Sequence, residues 1–155
     1  MRIIGAVVAI LLLGLAASCT SIQPAAQPAA PTLAEIRIVV PGSQRTLTAQ
    51  DARFAAVAAD FAAALPSISA QARTVFDAAR YTTEIAPLPH IIFIYSSDTD
   101  FSGQGITWRA AELVIVAPEG ETMLLTRAAG VGDWSVYLPD DPARLTGILE
   151  TYATP

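Results

Sequence analysis

Hydrophobic residues in the first half of the folded region follow first a strand-like and then a helix-like spacing. Residues 35–40 (EIRIVV) alternate and then become apolar, and Pro41 and Gly42 end the run, which predicts a short strand. Thr48, with Asp51 three residues later, resembles a helix capping box, although the usual second residue is Glu or Gln. A helix is then predicted up to Pro66, because its apolar residues recur at helical spacing: Phe54, Val57, Phe61 and Leu65.

The chain after Pro66 predicts a second helix and then a buried strand. Ser69 can cap a helix that runs to about Glu84, although residues 81–85 have a strand-like composition. The apolar run 91–95 is typical of a central strand that is buried on both faces. One face of the predicted helix would be formed by Ala72, Val75, Phe76 and Ala79.

The last third of the chain predicts a hairpin, a strand and a closing helix. Residues 111–117 and 121–127 flank the turn Pro118-Glu119-Gly120, and residues 134–138 form the next strand. Asp140, Asp141 and Pro142 then provide a helix start. The resulting order β-α-α-β-β-β-β-α predicts a single α+β domain, a mostly antiparallel sheet with helices packed on one face. The closing helix would bury Leu145, Ile148, Leu149 and Tyr152.

The first 32 residues show no such pattern. Arg2 is followed by 13 apolar residues, 3–15, which as a helix would span about 20 Å, less than the ~30 Å core of a bilayer. A signal peptide is therefore predicted for residues 1–18. Residues 20–32 contain three prolines and no charge, which predicts a semi-rigid tether that reaches roughly 40 Å. The globular domain is predicted to occupy residues 33–155.

The segment at residues 15–19, Leu-Ala-Ala-Ser-Cys, resembles the lipobox of bacterial lipoproteins. The resemblance implies that the thiol of Cys19 receives a diacylglycerol and that Cys19 becomes the new N-terminus. Ala16 stands where this class usually has Leu, so cleavage after Ser18 without lipid, or an uncleaved anchor, are the alternatives. Thr20, which is not Asp, implies the outer membrane in a double-membraned bacterium and the cell surface otherwise. The resemblance covers the leader alone.

The amino-acid composition excludes several classes of function for the domain. With 53% apolar and 15% charged residues the chain is not of the disordered class, and 14 acidic against nine basic residues argue against nucleic-acid binding. All nine basic residues are Arg, so any mechanism that needs a Lys is excluded. One Cys cannot form an internal disulfide, and one Cys with one His cannot complete a tetrahedral zinc site. No cofactor is predicted.

Residues 98–103 match the first half of a calcium-binding loop. Asp98, Asp100 and Ser102 place oxygen atoms at alternate positions, and a glycine follows. The second half fails, because the twelfth position is Arg109 and not a bidentate Glu. A solvated loop between strands is the competing interpretation. Phe101, an aromatic residue in this polar segment, is the side chain expected to touch a partner.

The candidates for catalysis are few. His90 is the sole histidine and so the one ready general base near neutral pH. Along a strand, Ser96 would lie about 20 Å from it, too far for a hydrogen bond, which favours a structural or surface role for His90. The carboxylates of Asp140 and Asp141 are explained as a helix cap. Glu119 and Glu121 flank a turn.

These patterns together predict a lipid-anchored cell-envelope protein that binds another envelope protein and is not an enzyme. One alternative is a hydrolase that acts on envelope polymers through Asp and Glu carboxylates. Another is calcium-dependent binding through residues 98–103. A cleft with two facing carboxylates would favour the enzyme, and a flat exposed apolar patch would favour binding.

Overall fold

The computed structural model describes residues 32–154, which contain seven strands and three α-helices joined by short turns. Two 3₁₀ turns occupy Leu65–Ser67 and Pro118–Gly120, and a π-helical turn occupies Tyr81–Ile85. The helices are α1 (Phe54–Ala64), α2 (Ala78–Arg80) and α3 (Pro142–Tyr152). The strands are β1 (Leu33–Val40), β2 (Ser43–Leu47), β3 (Ile68–Phe76), β4 (His90–Ser102), β5 (Thr107–Val116), β6 (Met123–Arg127) and β7 (Trp134–Pro139).

All seven strands form one antiparallel sheet in the order β2-β1-β4-β5-β6-β7-β3. Strands β4 to β7 make a meander, because each is hydrogen-bonded to the next strand along the chain. The hairpin of β1 and β2 extends the sheet beyond β4, and β3 extends it beyond β7. The α+β class and the antiparallel sheet are confirmed.

Apolar side chains fill both faces of the central strands. Leu113 and Ile115 of β5 belong to one buried cluster, and Val114 and Val116 belong to the other, as the alternation of a strand requires. The first face, here called the helix face, packs against α1 and α3. The buried residues that these helices contribute are Val57, Phe61, Ala64, Leu145, Ile148 and Leu149.

The second face is covered by residues 77–88, here called the covering segment. It contains α2 and the π-helical turn, and it places Ile85, Tyr81 and Leu88 against the sheet. The two longer helices therefore share one face, and the short α2 lies on the other. The sheet residues beneath the segment include Phe76, Val114, Leu125, Trp134 and Val136.

The predicted second helix at residues 69–84 is wrong over most of its length. Residues Ile68–Phe76 form β3, which pairs with β7. Phe76 is 6% exposed and its neighbour Val75 is 47% exposed, so the two do not share a buried face. Hydrogen bonding to a strand that lies 60 residues away overrides the local helical spacing. The helix that remains starts at Asp77, whose carboxylate accepts a hydrogen bond from the Arg80 amide at 2.8 Å.

Two other strand predictions need correction. Pro41 and Gly42 do end β1, but they turn the chain into β2, an exposed polar strand that has no apolar alternation. Strand β4 continues to Ser102 and does not end at residue 95. The predicted capping box of Thr48 and Asp51 does not cap a helix. Asp51 accepts a hydrogen bond from the Thr48 amide at 2.7 Å, but α1 begins after Arg53 without a side-chain cap.

The predictions for the C-terminal elements are confirmed. Strands β5 and β6 form a hairpin around Pro118–Gly120, and β7 follows at Trp134. Helix α3 begins with Pro142 in its first turn, and Asp141 caps it by accepting a hydrogen bond from the Ala143 amide at 3.1 Å.

The outer half of the β4–β5 hairpin, residues 99–110, is here called the arm. Its register shifts between Ile94 and Thr99, and beyond this irregularity Phe101 pairs with Trp108. The two rings join the core of the helix face. At the tip, the Gln104 amide donates a hydrogen bond to the Ile68 carbonyl oxygen at 2.7 Å, which fixes the arm to the start of β3.

Candidate functional site

The second face carries a group of four side chains, here called the Trp134 cluster. Glu112 and Arg127 are cross-strand partners, and the Arg127 Nη2 lies 2.6 Å from the Glu112 Oε2. The Arg127 guanidinium carbon lies 4.2 Å from the centroid of the Trp134 ring. Tyr81, delivered by the π-helical turn, stacks on the same indole with 4.8 Å between centroids. The cluster thus joins three strands to the covering segment.

Burial and the paired charges of this cluster keep the Tyr81 phenol neutral. The side chains of Arg127 and Glu112 are 28% and 32% exposed, so solvent screens their attraction only in part. Burial raises the pKa of Tyr81 to about 12; Arg127 lowers it and Glu112 raises it, so these charges oppose one another. The Tyr81 phenol is therefore protonated near neutral pH, where it can donate a hydrogen bond but cannot act as a base.

His90 lies at the start of β4 and is 3% exposed. Its Nδ1 lies 2.7 Å from the carbonyl oxygen of Leu88, so in the neutral ring Nδ1 carries the proton and donates it. Burial lowers the pKa of His90, and the bond to Leu88 raises it by a smaller amount. A catalytic pair would need a serine beside His90. Ser135 lies in β7, paired with Val75 and Thr126, and Ser102 lies at the opposite end of β4 from His90. The structure gives His90 a buried position within the fold.

Asp98, Asp100 and Ser102 lie within strand β4, so the loop on which the calcium prediction rested is not formed. The Asp98 carboxylate accepts a hydrogen bond from the Ala129 amide at 2.7 Å. The Arg109 Nε lies 3.9 Å from an oxygen of Asp98 and 4.0 Å from one of Asp100. Within residues 32–154, no three His, Cys, Asp or Glu side chains converge in a way that could hold a metal ion.

Phe101 is buried, contrary to the expectation of an exposed partner contact. It is 7% exposed and lies between Tyr95, at 5.1 Å between centroids, and Trp108, at 5.8 Å. Trp108 in turn contacts Tyr137 at 5.0 Å. This row of four rings packs the arm against the helix face. Phe101 is therefore not exposed to a partner, and the prediction that it contacts one is not supported.

The carboxylates considered for hydrolysis have structural partners in two cases. Asp141 caps α3, and Asp140 accepts a hydrogen bond from the Ser69 hydroxyl. Glu119 and Glu121 lie at the β5–β6 turn, as expected, and Glu119 has a left-handed φ of 53°. Asp140 and Asp141 therefore have structural roles, and Glu119 and Glu121 lie at a turn.

Helix α1 presents an apolar face to solvent. Asp60 is the one polar residue between Phe54 and Ala64. It accepts a hydrogen bond from the Tyr152 hydroxyl at 2.7 Å, and beside it a groove of about 400 Å³ runs between α1 and α3, bordered by Arg144 and Thr151. A surface helix normally has charged residues on its outer face, so this face is unusual. It consists of the exposed residues Ala55, Ala56, Ala59, Ala62 and Ala63.

Sequence reasoning missed the Trp134 cluster and only partly foresaw the face of α1. The cluster depends on the position of Tyr81, which was assigned to a regular helix, and on a cross-strand register that spacing does not give. The alanine content of α1 is visible in the sequence, but the sequence does not show that these alanines are exposed. The predicted signal peptide, Cys19 and residues 20–31 of the tether lie outside the described residues.

Comparison of the chain with protein-family models, curated proteins and solved structures gives no match. Among residues 32–154, each helix is too short or too polar to cross a bilayer. Inference about function therefore rests on the sequence and on the geometry described above.

Proposed function

We propose that the protein is a lipid-anchored component of the bacterial cell envelope whose domain acts by binding another envelope protein. The anchor is proposed from the leader, where small residues precede the single Cys19 after an uncharged stretch. The tether at residues 20–32 would hold the domain roughly 40 Å from the membrane. The domain starts with β1 at Leu33, directly after the tether.

The observation that carries the binding proposal is the outer face of α1. Five exposed alanines and no charged residue form this patch, flanked by Arg53 and Asp60. Alanine side chains are short, so a partner's backbone can approach such a helix closely. A helix that is apolar on all sides is typically covered on all sides. The patch is the kind of feature that distinguishes a binding module from a polymer hydrolase.

Site-specific photocrosslinking in cells tests the proposal. A crosslinker at Ala55 should give one discrete protein adduct, and a crosslinker at Gln44, which is exposed on the edge strand β2, should not. Ala59→Glu should remove the Ala55 adduct, because a charge would be buried at the contact. Ala34→Glu, at an exposed position on β1, is the matched control and should leave the adduct unchanged.

Two outcomes would contradict the binding proposal: equal adducts at Ala55 and Gln44, or an Ala55 adduct that survives Ala59→Glu. The anchor is tested separately, because a Cys19→Ser chain from which residues 1–18 have been removed should move from the detergent phase to the aqueous phase. Such a shortened Cys19→Ser chain that still enters the detergent phase would contradict the lipid anchor but not the binding face.

A further inference from the structure

The sole histidine is buried at the contact between the sheet and the covering segment. His90 is 3% exposed, and its Nδ1 bonds to Leu88 at the end of that segment. The ring also lies edge-on to Tyr81, with 6.4 Å between centroids. Two contacts of this one side chain therefore reach into the covering segment, while its backbone is paired with Val39 of β1 and Val116 of β5.

Protonation would place a charge at this contact with no counter-charge beside it. The causes that shift the pKa of His90 are its burial and the Leu88 carbonyl, and no charged side chain is among them. An imidazolium also needs an acceptor for its second N–H, and Nε2 makes no hydrogen bond within residues 32–154. A buried charge without a partner is costly unless water reaches it.

The charged groups on the surrounding elements are mostly engaged with each other. Glu112 pairs with Arg127, and Arg80 pairs with Glu84 within the covering segment. Glu35 pairs with Arg37 on β1, and Asp77 caps α2. Glu150 of α3 borders the groove that Pro89 also lines, at the exposed rim. Within the covering segment itself, the charged and titratable side chains are Asp77, Arg80, Tyr81 and Glu84.

The covering segment is the element that can separate from the sheet. It consists of a three-residue helix and a five-residue π-helical turn, and it rests on the sheet through Tyr81, Ile85 and Leu88. Lifting it would let water reach the His90 ring without breaking the pairing of β4 with its two neighbours. Short elements with few buried contacts open at lower free energy than a central sheet does.

We propose that protonation of His90 opens the covering segment and exposes the second face of the sheet, so that the domain carries an acid-responsive switch. The open segment would uncover Trp134, Val114 and Leu125, which form an apolar surface between the charged pairs of that face. In the open form the ring is solvated, so it is free of the burial that lowers the pKa of His90 in the closed form. Over the pH range in which the open form binds a proton and the closed form does not, the open population rises by up to about tenfold for each pH unit that the pH falls.

Hydrogen exchange of the purified full chain in detergent tests the switch. After correction for the pH dependence of intrinsic exchange, the amides of residues 77–88 should open more at pH 5.5 than at pH 6.5, by a factor of at most about ten. The amides of β5 at residues 113–116 should keep their protection. His90→Gln, whose side chain cannot be protonated in this pH range, should remove the pH dependence.

A measurement on the unaltered chain keeps the proposal testable if that variant does not fold. The NMR signals of the His90 ring and of the segment amides should titrate with one shared midpoint, lower than that of an exposed histidine. Constant exchange down to pH 5, loss of protection in β5 together with the segment, or an unchanged pH dependence in a folded His90→Gln chain would each overturn the proposal.

Discussion

Replacing Gly103 with Ala tests the position of the arm, because this glycine lies at the closest approach between the arm and β3. A Cβ atom added to Gly103 would lie 2.1 Å from the carbonyl oxygen of Ile68. Normal contacts between carbon and oxygen begin at about 3.3 Å, so the tip would have to retreat by about 1 Å. The φ of Gly103 is not in the left-handed region, and the glycine is therefore required for space and not for a sharp turn.

The magnitude follows from what the retreat would break. The bond from the Gln104 amide to Ile68, 2.7 Å long, would stretch beyond hydrogen-bonding distance at a cost of about 0.5–1.5 kcal/mol. Overpacking adds about 1–3 kcal/mol. Gly103→Ala should therefore lower the free energy of unfolding by about 2–4 kcal/mol.

Gly105→Ala is the matched control. Gly105 has a φ of +76° and open space where a Cβ would be, so its substitution should cost only about 1–2 kcal/mol of backbone strain. Both changes reduce the entropy of the unfolded chain by a similar amount, which cancels in the comparison. Urea unfolding followed by circular dichroism gives both values. If Gly103→Ala costs no more than Gly105→Ala, the arm does not contact Ile68 as described.

Three other substitutions test separate parts of the fold. Phe61→Ala should lower the free energy of unfolding by about 3–5 kcal/mol in a thermal melt, because Phe61 is 1% exposed and stacks on Phe93 at 3.8 Å between centroids. A loss below about 1 kcal/mol would mean that α1 does not pack on the sheet as described. Asp141→Ala should cost about 1 kcal/mol in urea unfolding through loss of the α3 cap, and an unchanged midpoint would contradict that cap. Glu119→Asn should stabilise the chain by up to about 1 kcal/mol, since Asn tolerates the left-handed φ of 53° better than Glu, and no gain over Glu121→Asn would refute the strain.

Elements whose signals are local could be predicted from the sequence. The closing helix has its cap, its proline and its apolar spacing within a dozen residues, and all three are found in α3. The hairpin of β5 and β6 is likewise defined by the turn at Pro118–Gly120. Local rules were enough in these cases because no distant partner decides the structure.

Elements that depend on distant pairing could not be predicted. Residues 68–76 have apolar residues at both helical and strand spacings, and the decision comes from β7, far along the chain. Strand β2 carries polar residues because it is an exposed edge, so it has no alternation to detect. Residues 98–102 looked like a loop because Asp98 and Asp100 are polar, yet their exposed side of β4 accommodates such residues.

The candidate site shows the same division. The identities of His90, Tyr81 and Trp134 were available, but their contact requires the π-helical turn to bring Tyr81 over the sheet. The outer face of α1 could be derived from the helical spacing, since its apolar stripe was correctly predicted and the remaining positions are alanine except for Asp60. What covers that face is a question for the crosslinking experiment.

The intact mass of the chain purified from a bacterial membrane tests the proposed anchor most directly. The proposal predicts a chain that begins at Cys19 and is heavier than its sequence by a diacylglyceryl group, and Cys19→Ser should abolish this added mass. An unmodified chain that begins at Cys19, or a chain that retains residues 1–18, would contradict the proposal.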